Sequence, residues 1–181
     1  MEMRYEMKKI MICGPVGSGK TTFAKKLAAK EKIQLVELDN LIWERNPRGD
    51  KRFTKEQSIQ LLQGTLATES WIIEGTTTQD WIKPAVAQAD IILLLLPPYH
   101  VRLYRIFSRF IKQKRNVEQA NYTPTFQLLK QMIVWNHHYE QKNIFELKRL
   151  NDSFPDKIIV LKELDAYAAY KIIIRDYNKN Y

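Results

Sequence analysis

A single cysteine, Cys13, in 181 residues excludes an internal disulfide framework. Long hydrophobic runs are also missing. The longest, Ile91 to Leu96, spans six residues and stops at Pro97-Pro98, whereas a bilayer crossing needs about 20. The opening Met1-Glu2-Met3-Arg4-Tyr5-Glu6 carries no apolar core, so no signal peptide is expected and a cytoplasmic location is the default. No internal repeat or low-complexity stretch is visible. His137 and His138 are adjacent and would face different directions on a helix, so no metal site of the His/Cys kind is expected from them. Acid is the scarcer charge, with 20 acidic residues against 29 basic ones, a formal +9. Between Arg102 and Arg115 stand six basic residues (Arg102, Arg105, Arg109, Lys112, Lys114, Arg115) and no acid. Such a surface attracts polyanions, whether nucleic acid, anionic membrane or a phosphorylated small molecule, and charge alone does not choose among them.

What is present points to one globular domain over residues 1–181, since 45% of the residues are hydrophobic and the length is short for two cores. Lys9 to Cys13 is a short apolar run ending at a glycine-rich turn, which predicts a first strand. Phe23, Ala24, Leu27 and Ala28 recur at helical spacing within Lys20 to Lys30. Gln34 to Leu38 predicts a second strand, and Asn46-Pro47-Arg48-Gly49-Asp50 marks a loop within Trp43 to Phe53. Thr54 to Ala67 has an amphipathic pattern, with Thr54 placed to cap it and Gln57 three residues on. Trp71 to Glu74 predicts a third strand, Trp81 to Gln88 a short helix with Pro84 in its first turn, and Ala89 to Leu96 a fourth strand buried on both faces. A basic helix from Pro98 to about Lys114, a loop from Asn116 to Thr125, a helix from Phe126 to Leu150, a fifth strand Lys157 to Leu161 and a closing helix Ala166 to Tyr177 complete the pattern. Strands alternating with helices predict an α/β domain with a mostly parallel sheet.

The strongest signal is Gly14-Pro15-Val16-Gly17-Ser18-Gly19-Lys20-Thr21-Thr22, which matches the phosphate-binding loop Gly-x-x-x-x-Gly-Lys-Thr in full, after an apolar strand and before a helix. Its glycines let the backbone approach a phosphate closely, and its N–H groups form a nest for anionic oxygens. The helix beginning near Lys20 turns its free N–H groups and positive dipole end toward the same oxygens. Lys20 is expected to reach the β- and γ-phosphates of ATP, and the Thr21 hydroxyl to ligate Mg²⁺. In an open parallel sheet ligands bind beyond the carboxyl ends of the strands, where Asp39 and Glu74 fall. Either carboxylate suits Mg²⁺ or the proton of an acceptor hydroxyl.

The phosphate loop, Leu38-Asp39-Asn40-Leu41-Ile42-Trp43, Trp71-Ile72-Ile73-Glu74-Gly75-Thr76, Leu95-Leu96-Pro97-Pro98 and Trp135-Asn136-His137-His138 together resemble the FlaR-like "DNA topology modulation protein" family, a branch of the adenylate-kinase-like P-loop kinases, over about residues 8 to 165. The resemblance implies a three-layer P-loop NTPase fold, with a five-stranded parallel sheet flanked by helices. It also implies an acceptor-binding segment at about residues 40–70 and an arginine-bearing helical lid at about 99–125. It places Glu74 where the kinases usually carry aspartate. Arg105 and Arg109 match the arginines that clamp ATP phosphates; their four-residue spacing puts them on one helix face, with Arg102 a weaker member of it.

Four of the ten residues from Glu44 to Phe53 are basic (Arg45, Arg48, Lys51, Arg52), which suits an acceptor already carrying a phosphate, such as a nucleoside monophosphate. Gly75-Thr76-Thr77-Thr78 adds hydroxyl donors, and Trp43 and Trp81 are candidates to stack on a base. The leading expectation is therefore an ATP- and Mg²⁺-dependent kinase of an unidentified small molecule. Lys20, Asp39, Arg105 and Arg109 carry the chemistry, and Thr21 and Glu74 hold the metal. The alternatives are a nucleotide-dependent regulator of DNA, for which no DNA-binding motif stands in the sequence, and an ATP-binding protein without transferase activity.

Overall fold

The computed structural model describes residues 8–46, 49–76, 80–118, 122–139, 157–162, 167–168 and 170. Its centre is a sheet of five parallel strands: β1 (Lys9–Cys13), β2 (Leu35–Glu37), β5 (Trp71–Gly75), β6 (Ile91–Leu95) and β7 (Ile158–Leu161), in the spatial order β2-β5-β1-β6-β7. This is the sheet the alternation of strands and helices predicts. Alternate residues of β1 serve two cores. Ile10 and Ile12 face α1 (Lys20–Glu31) and pack with Phe23, Ala24 and Leu27. Met11 and Cys13 face the other side, packing with Leu38, Leu41, Leu62, Leu66, Ile73 and Val86 of the helices α2 (Leu38–Ile42), α3 (Lys55–Leu66) and α4 (Lys83–Gln88) and of β5. A strand covered on both faces has no solvent side, which is why these runs are continuously apolar.

α3 begins as the sequence predicts. The Gln57 amide donates to the Thr54 hydroxyl at 3.2 Å, and the Thr54 amide donates to Gln57 Oε1 at 2.9 Å, a reciprocal cap that satisfies two otherwise orphaned N–H groups. Pro84 falls in the first turn of α4, where its missing N–H costs nothing, after a single 3-10 turn at Asp80–Ile82. α5 (Tyr99–Lys114) and α6 (Phe126–His138) form a pair beside the sheet.

The fold differs from expectation in two local ways. The second strand stops at Glu37, so Asp39 does not follow the strand directly but sits in the first turn of α2. The segment from Trp43 to Phe53, expected as loop, contains an antiparallel hairpin of β3 (Trp43–Glu44) and β4 (Lys51–Arg52). Its two-residue strands are too short to show alternation. They are closed by the Phe53 amide donating to the Ile42 carbonyl at 2.9 Å, an ion pair of Arg45 with Asp50, and the Arg52 guanidinium 5.7 Å above the Trp43 ring. The end of the helix expected to run to Leu150 and most of the closing helix lie outside the described residues. No helix among the described residues is long and apolar enough to cross a membrane.

Candidate active site

β1 lies between β5 and β6, and the chain leaves it into the phosphate loop at the crevice where neighbouring connections run to opposite faces of the sheet. The loop's glycines are required by contacts as well as by shape. Gly17 has φ +79° and Gly19 φ +91°, in the left-handed region that disfavours side chains. A Cβ on Gly17 would meet the Arg102 carbonyl oxygen at 2.6 Å, and one on Gly14 would meet the Leu95 carbonyl oxygen at 2.5 Å. The loop is thus pinned beneath by the end of β6 and the first turn of α5. The Thr76 hydroxyl adds a hydrogen bond to the Gly14 carbonyl at 3.0 Å.

Above the loop opens a cavity of about 510 Å³. Gly17, Ser18, Gly19, Lys20, Thr21 and Thr22 form its floor, and Tyr104, Arg105, Ser108, Arg109 and Lys112 of α5 form one wall. Lys26, Glu118 and Tyr167 stand at its outer end, with the Lys26 ammonium 5.0 Å from the Tyr167 ring. The Arg105 guanidinium donates to the Ser18 carbonyl at 2.9 Å, which lays it across the loop. Arg109 contacts the Met132 sulfur at 3.7 Å from α6. Residues far apart in sequence, Lys20 and Thr21 on one side and Arg105 and Arg109 on the other, therefore line a single cavity.

Gly14, Pro15 and Val16 do not line it; they form the loop's approach from β1. Arg102 departs further from expectation. It is 0% exposed rather than on the outer face of α5, and its guanidinium lies 5.5 Å from the Tyr99 ring. Its position on the first turn of α5, directly under the loop, turns it inward.

Behind Thr21, the Thr21 hydroxyl donates to Glu74 Oε1 at 2.9 Å. Glu74 is 5% exposed, and its Oε2 is buried without a hydrogen-bond partner. Burial raises the Glu74 pKa above the ordinary carboxylate value; Lys20 and the Thr21 hydroxyl pull it back, and the charges of Glu37 and Asp39 push it further up. A buried carboxylate oxygen with an open lone pair, next to the loop threonine, fits a site that completes itself with a hydrated cation. Asp39 is exposed on α2 and does not line the cavity above the loop, although it is near enough to act on Glu74. Cys13, buried beneath the loop, has its thiol pushed up to about 12 and belongs to the core.

Glu37 was not among the residues singled out from sequence. It pairs in register with Glu74 across β2 and β5, raises the Glu74 pKa, and lies 3.6 Å from the Lys25 ammonium. The signal was available, since Glu37 is a carboxylate at the carboxyl end of a strand, but the expected strand ran through it to Leu38.

A family model described as an AAA domain matches residues 10–88, the stretch holding the phosphate loop, α2, α3 and β5. A shikimate kinase of Bacillus cytotoxicus is 28% identical over 128 residues, 62% of this chain and 76% of that protein. The structure is similar to a shikimate kinase from Acinetobacter baumannii in complex with shikimate (TM-score 0.55, 19% identity, 96% of this chain and 94% of that one). It is also similar to an uncharacterized protein from Eubacterium ventriosum (TM-score 0.52, 19% identity, 95% and 98%). The two structures share the fold. With the complete phosphate loop after its central strand, that fold is an α/β domain of the P-loop type, and the chain's likeness in sequence is to a shikimate kinase.

Proposed function

We propose that the protein transfers the γ-phosphoryl group of ATP, as its Mg²⁺ complex, to a hydroxyl of a small acceptor held on the α2 side of the loop. The observation that carries this reading is the single cavity in which the loop, Lys20 and Thr21 face Arg105 and Arg109. The loop amides and the α1 N-terminus hold the phosphates. Lys20, Arg105 and Arg109 balance the charge that spreads over the transferred group. Arg105, anchored on the Ser18 carbonyl, carries a planar and permanently charged guanidinium whose fork suits a phosphate oxygen. Thr21 and Glu74 would hold Mg²⁺, which would supply charge neutralisation at the phosphates. Asp39 takes the proton as the acceptor oxygen bonds to the γ-phosphorus; the bond from that phosphorus to the β–γ bridging oxygen breaks, and ADP leaves.

The shikimate kinase likeness supports an acceptor of similar size, a small polyhydroxylated molecule. The Leu38–Trp43 and Trp135–His138 segments support the FlaR-like branch of the P-loop kinases.

The test is a transfer screen with ATP and GTP as donors against nucleoside monophosphates, nucleosides, cyclic hydroxy acids and sugars, run with wild type and Lys20→Ala. Transfer by the wild type and its loss in the variant are expected. Equal ATP turnover in both would overturn the scheme. Binding of duplex DNA that is strong at moderate salt and changes with ATP would favour a regulator instead.

A further inference from the structure

α5 is covered on some of its sides and open on another. Arg102, Ile106 and Gln113 are its buried residues. α6 covers the flank that carries Phe110, whose ring lies 5.2 Å from that of Phe126. Arg105 and Arg109 face the cavity above the phosphate loop. On the remaining side Tyr104, Phe107 and Ile111 recur at i, i+3 and i+7, a spacing that sets them in one ridge along the helix. All three are exposed, Tyr104 by 73%. The start of α6 continues the ridge, because Phe126 rests on Phe110 and still exposes 75% of its surface. Val117, just past the end of α5, is also exposed. Apolar side chains exposed singly need no explanation, whereas a stripe of them along a helix marks a contact surface.

The charge around the ridge says what covers it. Lys112, Lys114 and Arg115 stand exposed at its far end, and the Lys114 ammonium lies 5.9 Å from the Phe126 ring. Lys130 is exposed one turn beyond Phe126 on α6. From Tyr99 to His138 the one acidic residue is Glu118, and it lines the cavity above the loop. A second copy of this surface would set two acid-free helices against each other, so like charges oppose self-pairing. Single-stranded nucleic acid would stack its bases on flat rings, and Ile111 and Val117 offer none. An anionic bilayer accepts the whole set. Aromatic and aliphatic side chains enter the boundary between headgroups and acyl chains, while the lysines and the arginine reach phosphate and carboxylate headgroups on their long stems.

We propose that the outer face of α5, with the start of α6, docks on a membrane surface rich in anionic lipid. The protein lies on that surface and does not cross it. This surface is separate from the phosphate site and stands whether or not the kinase reading does.

Flotation of the full chain with phosphatidylcholine vesicles, pure or mixed with phosphatidylserine, tests it. Binding to the anionic vesicles is expected to exceed binding to the neutral ones by about 100-fold or more, at about fivefold for each cation near the surface, and to fall as salt is raised. Lys114→Glu combined with Arg115→Glu is expected to lower anionic binding by about 25-fold or more. Phe107→Ser combined with Ile111→Ser is expected to lower it by about 10-fold. None of these four residues lines the cavity above the loop, so ATP binding and the melting curve serve as controls for the fold. Equal binding to both vesicle types, no binding to either, or a charge-reversed variant that binds like wild type would overturn the proposal. So would tighter binding of a single-stranded oligonucleotide than of anionic vesicles, which would make the face a nucleic-acid surface. A dimer in sedimentation that the same variants disperse would make it a self-interface and would overturn the proposal equally.

Discussion

Replacing Glu74 by Gln perturbs the buried centre of the site without changing its shape. In the absence of nucleotide and divalent cation, Glu74 Oε2 is buried with no partner, and Oε1 takes the Thr21 hydroxyl at 2.9 Å. A buried polar atom left unsatisfied costs about 1–3 kcal/mol, and more when charged. Lys20 and Thr21 offset part of this, but burial is the dominant influence and raises the pKa. The amide of Gln keeps an acceptor for Thr21 and removes the charge, though its own NH₂ also lacks a partner. A net gain of about 1 kcal/mol is expected, or about 2–4 °C in Tm for a chain of this size. The sign follows from linkage. A carboxyl whose folded pKa is raised is fully compatible with the fold below the ordinary value of about 4.3 and loses stability as pH rises through the raised value. Glu74→Gln should therefore melt higher than wild type at pH 8 and at the same temperature near pH 4, if both remain folded there. Adding ATP and Mg²⁺ should raise the wild-type Tm more than that of the variant. Thermal scans by circular dichroism across this pH range measure the difference. A variant less stable than wild type at pH 8, or a gap that does not change with pH, would refute the reasoning.

Gly17→Ala is expected to cost about 1–3 kcal/mol and to abolish ATP binding, because its Cβ meets the Arg102 carbonyl at 2.6 Å in a left-handed backbone; calorimetric titration with ATP and a melting curve check both. Arg105→Ala is expected to lower kcat about 100-fold or more, and Arg105→Lys to restore little, since a single ammonium does not replace a guanidinium that already spends one N–H on the Ser18 carbonyl. Thr54→Ala removes half of a reciprocal cap and should cost about 1 kcal/mol, a fall of about 2–4 °C in Tm.

The sequence is most legible where one local interaction decides the outcome. The apolar run Lys9–Cys13, the glycine spacing that follows and the Thr54/Gln57 cap each carry their structure within a few residues. The parallel five-stranded sheet follows from the alternation of apolar runs with helices, whereas its order β2-β5-β1-β6-β7 is carried by no local pattern. Legibility fails where the deciding contact is distant. Arg102 looks like its neighbours in a basic helix, yet the phosphate loop above it makes its position interior. Trp43 and Arg52 become a hairpin only because α2 and α3 hold their ends together. Glu37 gains its meaning from Glu74, 37 residues away, through a register that no local pattern shows. Arg105 and Arg109 were singled out through the family resemblance and both line the cavity, but the hydrogen bond of Arg105 to Ser18 was not legible.

The central claim is that phosphoryl transfer occurs above Lys20, and following the γ-phosphate of labelled ATP tests it most directly. With Mg²⁺ and the acceptor that the transfer screen identifies, the wild type should move the label onto the acceptor, and Lys20→Ala should lose that transfer by about 1,000-fold or more. Label found only as inorganic phosphate, or transfer that survives in Lys20→Ala, would contradict it.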